Sequence, residues 1–369
     1  MDTLRVAAIG RTGRGDWGHA IDTLWRNLPG VEVVAVADES EEGLAQAAER
    51  HGLAEKAAYA DWRRMLAEVK PDIVAICMRH IDCHAEMALA AVEAGARGIF
   101  MEKPFVRTLA EADAVIDACR RAGTKLSLAF VNRHSPTYGA VRELIETGRI
   151  GKVLEFRGRG KEDRRGGGED AWVLGSHLFD LMSDLGGGPR WCLASVTQEG
   201  RGIGKGDAFE GPEGLGLIAG DAIAAMFGMG DGPTGYFAST REAGLKQPNF
   251  GLTIAGTSGA IQIWPDRLPH AYFRAAPLWR VDREFPWRPI GPAGIEDETP
   301  HDVDRSAERA EWGRRNALDL VDAILTDREP ETGMYAGRTA VEMTAAIYAS
   351  ALSGRRVDLP LTDRGNPLA

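Results

Sequence analysis

Apolar residues gather into short runs separated by charged, helical-period stretches over the first 131 positions. Residues 4–9 (LRVAAI), 31–37 (VEVVAVA), 72–77 (DIVAIC), 98–104 (GIFMEKP) and 125–131 (KLSLAFV) read as strands. Between them, 41–52, 61–69, 84–95 and 109–123 carry the apolar spacing of amphipathic helices, and a further helix is expected to start near Gly18. Strands alternating with helices predict βαβ units and a parallel sheet, and near-continuous apolar strands predict one buried on both faces. After residue 132 the pattern changes. A helix over 138–151 leads to a strand beginning at 152, a Gly-rich charged stretch at 158–169 reads as a mobile surface loop, and 177–186 as a short helix. Strands with glycine turns fill 190–264, which favours an antiparallel sheet and an α+β second domain. Residues 265–294 carry six prolines and two tryptophans and read as an irregular excursion. Two helices, about 304–326 and 334–353, close the pattern.

At 369 residues the chain suits two domains, 1–131 and 132–369, with the closing helices free to pack back on the first. The net charge of −10 and the absence of any Lys/Arg run argue against nucleic acid or an anionic membrane as partner. No stretch approaches the roughly 20 apolar residues that span a bilayer. Four cysteines in this length do not suggest a disulfide framework, and cytoplasm is the expected compartment.

The first strand ends in a glycine turn. Gly10, Gly13, Gly15 and Gly18 let a pyrophosphate approach backbone N–H groups, and Arg11 and Arg14 can reach its oxygens. Gly13, Gly15 and Gly18 spell GxGxxG, three residues later than usual after a strand. Asp38 ends the second strand about 20 residues on, where a carboxylate accepts from adenosine ribose hydroxyls and repels a 2′-phosphate; this favours NAD over NADP. The plainer alternative is that Asp38 caps the helix near Glu41, a role Ser40 fills equally well. Lys103, in Glu102-Lys103-Pro104 at the end of a parallel strand, is placed to donate to a substrate oxygen; a surface salt bridge is the alternative. His80, Cys83 and His84 lie close together, but no second cluster completes a metal site, and none is expected.

The order of these features, with His84-Ala-Glu-Met, MEKP, the later Gly175-Ser-His177-Leu-Phe-Asp180 and the closing GRRVDLPL, resembles the glucose–fructose oxidoreductase/inositol dehydrogenase (Gfo/Idh/MocA) family. The resemblance implies an α/β chain: an N-terminal Rossmann doubly wound parallel sheet, then a C-terminal α+β domain with a large, mostly antiparallel open sheet through which a homodimer or homotetramer forms. It implies NAD(P)-dependent hydride transfer at a secondary alcohol of a sugar, glycoside or cyclitol. In it Lys103 orients the reacting hydroxyl, Glu102 holds the loop, Met78 lies near the nicotinamide, and His177 accepts the proton. Asn132 and His134, at the family's domain junction, become substrate contacts.

Three features depart from the family pattern. The glycine turn is longer, Met78-Arg79-His80 replaces a Thr-Pro-Asn type turn, and Val173 stands where an aspartate is expected four residues before His177. Asp170, Glu169 or Asp180 then become candidates to stand in for it, Asp180 also reading as structural. Val173 leaves room for a redox-neutral alternative, in which retained NAD cycles through a keto intermediate during elimination or glycoside cleavage. A non-enzymatic dinucleotide or sugar sensor is the third reading, against which Lys103 and His177 argue.

Overall fold

The computed structural model describes residues 3–247, 249–281, 284–297 and 304–369. The chain forms two compact units: one of Met1–Val131, Pro212–Gly216 and Arg309–Arg338, the other of Asn132–Gly211, Leu217–Glu308 and Thr339–Ala369.

The first unit is built on six parallel strands, β1 (Leu4–Ile9), β2 (Val31–Ala37), β3 (Ala58–Tyr59), β4 (Ile73–Ile76), β5 (Gly98–Met101) and β6 (Lys125–Leu128). Their order across the sheet is β3-β2-β1-β4-β5-β6, the doubly wound arrangement whose ligand crevice lies outside the carboxyl ends of β1 and β4. β4 and β5 are buried at every position, as their unbroken apolar runs require. Helices α1 (Glu41–His51), α2 (Trp62–Val69), α3 (His84–Glu93) and α4 (Leu109–Ala122) cover the sheet. Ser40, Asp61 and Thr108 cap three of them by accepting from Gly43, Arg63 and Glu111 N–H groups. Late in the chain, Asn316 donates to the Leu128 carbonyl at 2.8 Å and accepts from Ser127 and Thr332, which ties 309–338 to β6.

The helix expected near Gly18 does not form. Residues 10–20 are turns, followed only by a five-residue 3-10 segment, Ile21–Trp25. Gly13, Asp16 and Ala20 take φ of +82°, +53° and +58°, and Gly15 and Gly18 are also left-handed; no right-handed helix runs through such positions. Trp25 instead packs edge-on against Phe100 in the core.

The second unit holds an eleven-stranded sheet. In sheet order its strands are Gly294–Ile295, Arg288–Gly291, Ala271–Arg274, Ala260–Ile263, Gly251–Gly256, Val153–Arg159, Thr234–Thr240, Ala222–Met229, Pro189–Gln198 and Val357–Asp358, with Arg201–Gly202 pairing beside Pro189–Gln198. All neighbours are antiparallel except Val153–Arg159 with Thr234–Thr240. Burial alternates along Ala222–Met229 and Thr234–Thr240, one face inward.

Three expectations need correction here. The helix from 138 spans Pro136–Glu146 and stops well before 151, because Gly148 and Gly151 are left-handed. The stretch 158–169 is not a solvated loop. Glu162 is buried, pairs with Arg159 and accepts from the Thr240 N–H, while a Cβ on Gly166 or Gly168 would fall 2.3 or 2.5 Å from backbone atoms of Arg241 or Ala219. Close backbone approach explains the glycines. The proline-rich excursion also contributes two sheet strands, Ala271–Arg274 and Arg288–Gly291, since Phe273 and Ile290 both reach the core.

Candidate functional site

In the first unit the chemistry-bearing residues collect at the carboxyl ends of β1, β2, β4 and β5. The glycine turn is a small, tightly bonded strap. Arg11 and Asp16 exchange backbone hydrogen bonds at 3.0 Å, and the Gly13 N–H donates to the Asp16 carboxylate at 2.9 Å. Its Gly15 carbonyl accepts from the Arg79 N–H at 3.3 Å, and Arg14 reaches Asp82 at 2.9 Å, so the strap is tied to the turn after β4. A Cβ on Gly15 would lie 2.6 Å from the Arg79 nitrogen, and one on Gly18 would lie 2.2 Å from the Cys77 carbonyl oxygen. Gly10 is covered by the Trp17 ring, while Gly13 faces open space. Glycine is required wherever the strap touches backbone. A backbone turn stripped of side chains, open at Gly13 and flanked by Arg11 and Arg14, leaves room for the pyrophosphate of a dinucleotide, with the two guanidiniums rather than a helix N-terminus beside it.

Asp38 does not fit its expected part. Its carboxylate is almost fully buried and accepts from Thr12 N–H (3.1 Å), Thr12 hydroxyl (2.7 Å) and Ser40 N–H (3.0 Å). The three extra residues of the turn bring Thr12 over it. The cap itself is Ser40.

Met78 is buried, and its carbonyl accepts from the His84 Nε2 at 2.9 Å, while the His84 Nδ1 lies 3.0 Å from the carbonyls of Pro104 and Phe105. His84 therefore pins the turn after β4 to the segment after β5, and its nitrogens are spent on backbone. Among the described residues no cluster of His, Cys, Asp or Glu could hold a metal ion.

Lys103 follows β5 and is 5% exposed. Burial lowers its pKa, with Glu102 and Glu213 opposing. Glu102 is wholly buried and accepts the Lys103 N–H at 2.7 Å; its other oxygen pairs with His19 on the strap. Burial alone would raise the Glu102 carboxyl, but the charge and hydrogen bond of His19, with Lys103, hold it down to about 2. His19 has no expected role in the sequence. Its only signal is its position just after Gly18, where the strap returns toward β5.

In the second unit His177 lies in the first turn of the helix Gly175–Gly186, 6% exposed. Its Nδ1 is 3.5 Å from the Asn132 amide nitrogen, and its ring stands 6.4 Å from Phe250. Asn132 is buried and its amide oxygen has no hydrogen-bond partner. His134 sits half-buried in the same short turn. Neither Asp170 nor Asp180 takes the place of the aspartate missing at Val173. Asp170 accepts from Ser239 at 2.6 Å and from the Glu162 N–H at 3.0 Å, serving the 160s segment. Asp180 pairs with Arg133 at 3.2 Å; the same guanidinium reaches Asp184 at 2.6 Å, which also accepts from the Tyr138 hydroxyl. This Arg133 fork has no local sequence signal, because its members lie up to 51 residues apart.

Burial pushes the Asp180 carboxyl up to about 6 from 3.8, with Arg133 opposing and Asp184 adding. A raised folded pKa means the folded state binds the proton more tightly. The contribution to stability is then present below about pH 4 and is lost as pH rises through 6. Asp180→Asn is expected to match the parent chain near pH 4 and to exceed its unfolding free energy at pH 8, by at most about 3 kcal/mol at about 1.4 kcal/mol per pKa unit. Denaturant titrations at the two pH values check this; a variant less stable than the parent at pH 8 contradicts it.

The first unit is similar to known proteins. Residues 4–130 match the Gfo/Idh/MocA family model, described as an oxidoreductase family with an NAD-binding Rossmann fold. Levoglucosan dehydrogenase of Pseudarthrobacter phenanthrenivorans is 36% identical over 129 residues, 35% of this chain and 32% of that protein. D-Glucoside 3-dehydrogenase of Escherichia coli is 33% identical over 186 residues, 50% of this chain and 49% of that protein. The matched stretch thus spans half or less of these relatives' length. A levoglucosan dehydrogenase structure, in complex with NADH and levoglucosan, superposes with a TM-score of 0.76 at 24% identity, covering 97% of this chain and all of that one, a likeness of fold. With its doubly wound sheet and its glycine strap, the stretch 4–130 is similar to the NAD-binding Rossmann part of the Gfo/Idh/MocA oxidoreductase family.

Proposed function

We propose that the chain is an NAD-dependent dehydrogenase that transfers hydride between a secondary alcohol of a sugar, glycoside or cyclitol and the nicotinamide. The observation that carries the reading is Lys103: a buried lysine with a lowered pKa at the carboxyl end of β5, in a sheet of nucleotide-binding order. The names of the relatives, levoglucosan, D-glucoside and inositol dehydrogenases, supply the substrate class.

A bound nicotinamide supplies the hydride acceptor. Gly13, Gly15, Gly18 and Arg14 would make room for and hold its pyrophosphate, and Met78 and Glu102 would shape the backbone beside its ring. Lys103 donates to the substrate oxygen and offsets its developing charge. His177 takes the hydroxyl proton, with the Asn132 amide at its Nδ1. The unpartnered Asn132 oxygen suits a substrate hydroxyl. His134 is a further contact.

Leu154 and Leu193, on strands of the large sheet, are exposed, and Trp279 is 52% exposed beside Arg157, which also stacks on Tyr236. An open sheet face of this kind suits pairing with a second copy of the chain. The four cysteines are free and buried, which suits a reducing compartment such as the cytoplasm, and among the described residues no helix is long and apolar enough to cross a membrane.

A panel of sugars, glycosides and cyclitols, followed for NADH formation beside mass spectrometry of retained dinucleotide, tests the reading. NADH accumulating with a cyclic polyol supports it. Turnover without NADH and with cofactor retained would instead mean a redox-neutral reaction, and no dinucleotide binding at all would sink both.

A further inference from the structure

The adenosine end of the cofactor cannot be read by the residue that position in the strand suggests. Asp38 already accepts from Thr12 twice and from Ser40, and it is 2% exposed. Thr12 cannot withdraw cheaply. Its hydroxyl is wedged against α1, where a Cβ on Gly43 would come within 2.0 Å of it, and the strap behind it is closed by the Arg11–Asp16 bridge. The carboxylate of Asp38 is therefore structural, holding the inserted turn. The next residue differs in each respect. Glu39 has a side chain 59% exposed, one methylene longer, at the same end of β2, with Arg11 of the strap 3.4 Å away.

We propose that Glu39 accepts the adenosine ribose hydroxyls and that the Arg11–Glu39 pair sets the choice between a 2′-hydroxyl and a 2′-phosphate. This rests on the dinucleotide reading above. An ionised Glu39 receives two hydroxyl donors well and repels a phosphate, and it also occupies Arg11. Take the carboxylate away and Arg11 is released beside the 2′ position, where a guanidinium pairs with phosphate through two N–H donors. The insertion thus moves the discriminating carboxylate by one residue and supplies a latent phosphate partner in the same step.

Calorimetric titration of the full-length chain with NADH and with NADPH tests the assignment without relying on turnover. The parent is expected to prefer NADH. Glu39→Ser should weaken NADH and strengthen NADPH, moving the ratio of their dissociation constants by about tenfold or more, the usual weight of a hydrogen bond to a charged group. Arg11→Ala added to Glu39→Ser should take the NADPH gain away. Asp38→Asn should leave the ratio within about twofold while lowering the melting temperature, because only the strap is loosened. A ratio moved by Asp38→Asn and untouched by Glu39→Ser overturns the assignment and leaves the dinucleotide reading standing. Failure of the parent to bind either dinucleotide overturns both. If Asp38→Asn does not fold, Glu39→Ser with and without Arg11→Ala decides alone.

Discussion

Lys103→Met is expected to lower kcat by about 10²- to 10⁴-fold, the range for a positioned acid–base group, while NADH binding stays within about threefold of the parent. Methionine keeps the length and the buried apolar stem and removes the ammonium. What is lost is a cation in a poorly solvated position, where its interaction with a developing oxyanion is strongest. The same burial makes the parent's activity pH-sensitive on the alkaline side. Because the folded pKa lies below that of an ordinary lysine, the ammonium is lost earlier as pH rises, and the alkaline limb of kcat/KM should fall earlier than free lysine would give. Steady-state kinetics across pH, beside NADH titration, checks both parts. Activity within about threefold of the parent would remove Lys103 from the chemistry and favour a sensor.

The second large effect is expected at His177. His177→Gln should cost about 10²- to 10⁴-fold in kcat and erase the acid limb of the kcat/KM profile, because glutamine fills similar space but accepts no proton. Asn132→Ala, which takes away the group at Nδ1, should cost less and leave the limb in place, since an orienting amide can be lost while the imidazole still titrates. A His177→Gln enzyme that keeps its acid limb would mean that another base does the work.

Much of the first unit was legible in the residues. Five of the six strands between residues 4 and 131 lie where a run of apolar positions predicts them, because strands buried on both faces tolerate little else; the two-residue β3 has no such run. The cap at Ser40 was likewise local chemistry. The helix after the first strand failed because the glycines that identify a phosphate turn also take left-handed conformations, and Asp16 and Ala20 join them. The segment 158–169 was misjudged for a related reason. Glycine and charge together resemble solvated loop, yet here the glycines admit neighbouring backbone and Glu162 meets Arg159 and the Thr240 N–H in the interior.

From its order of residues alone the chain determined the alternation of strands and helices, the glycine turn, the placement of Lys103 at a strand end and the antiparallel character of the second sheet. Those are properties of neighbours a few positions apart, and burial periodicity writes them directly. Tertiary structure alone decided the partners: Thr12 closing over Asp38, His19 reaching Glu102 from 83 residues away, Asn132 at His177 from 45, and Arg133 gathering Asp180 and Asp184. A polar side chain taken out of water must find whichever donor or acceptor the folded backbone brings near it. That choice is made by strand order and turn length, and no local pattern along the chain encodes it.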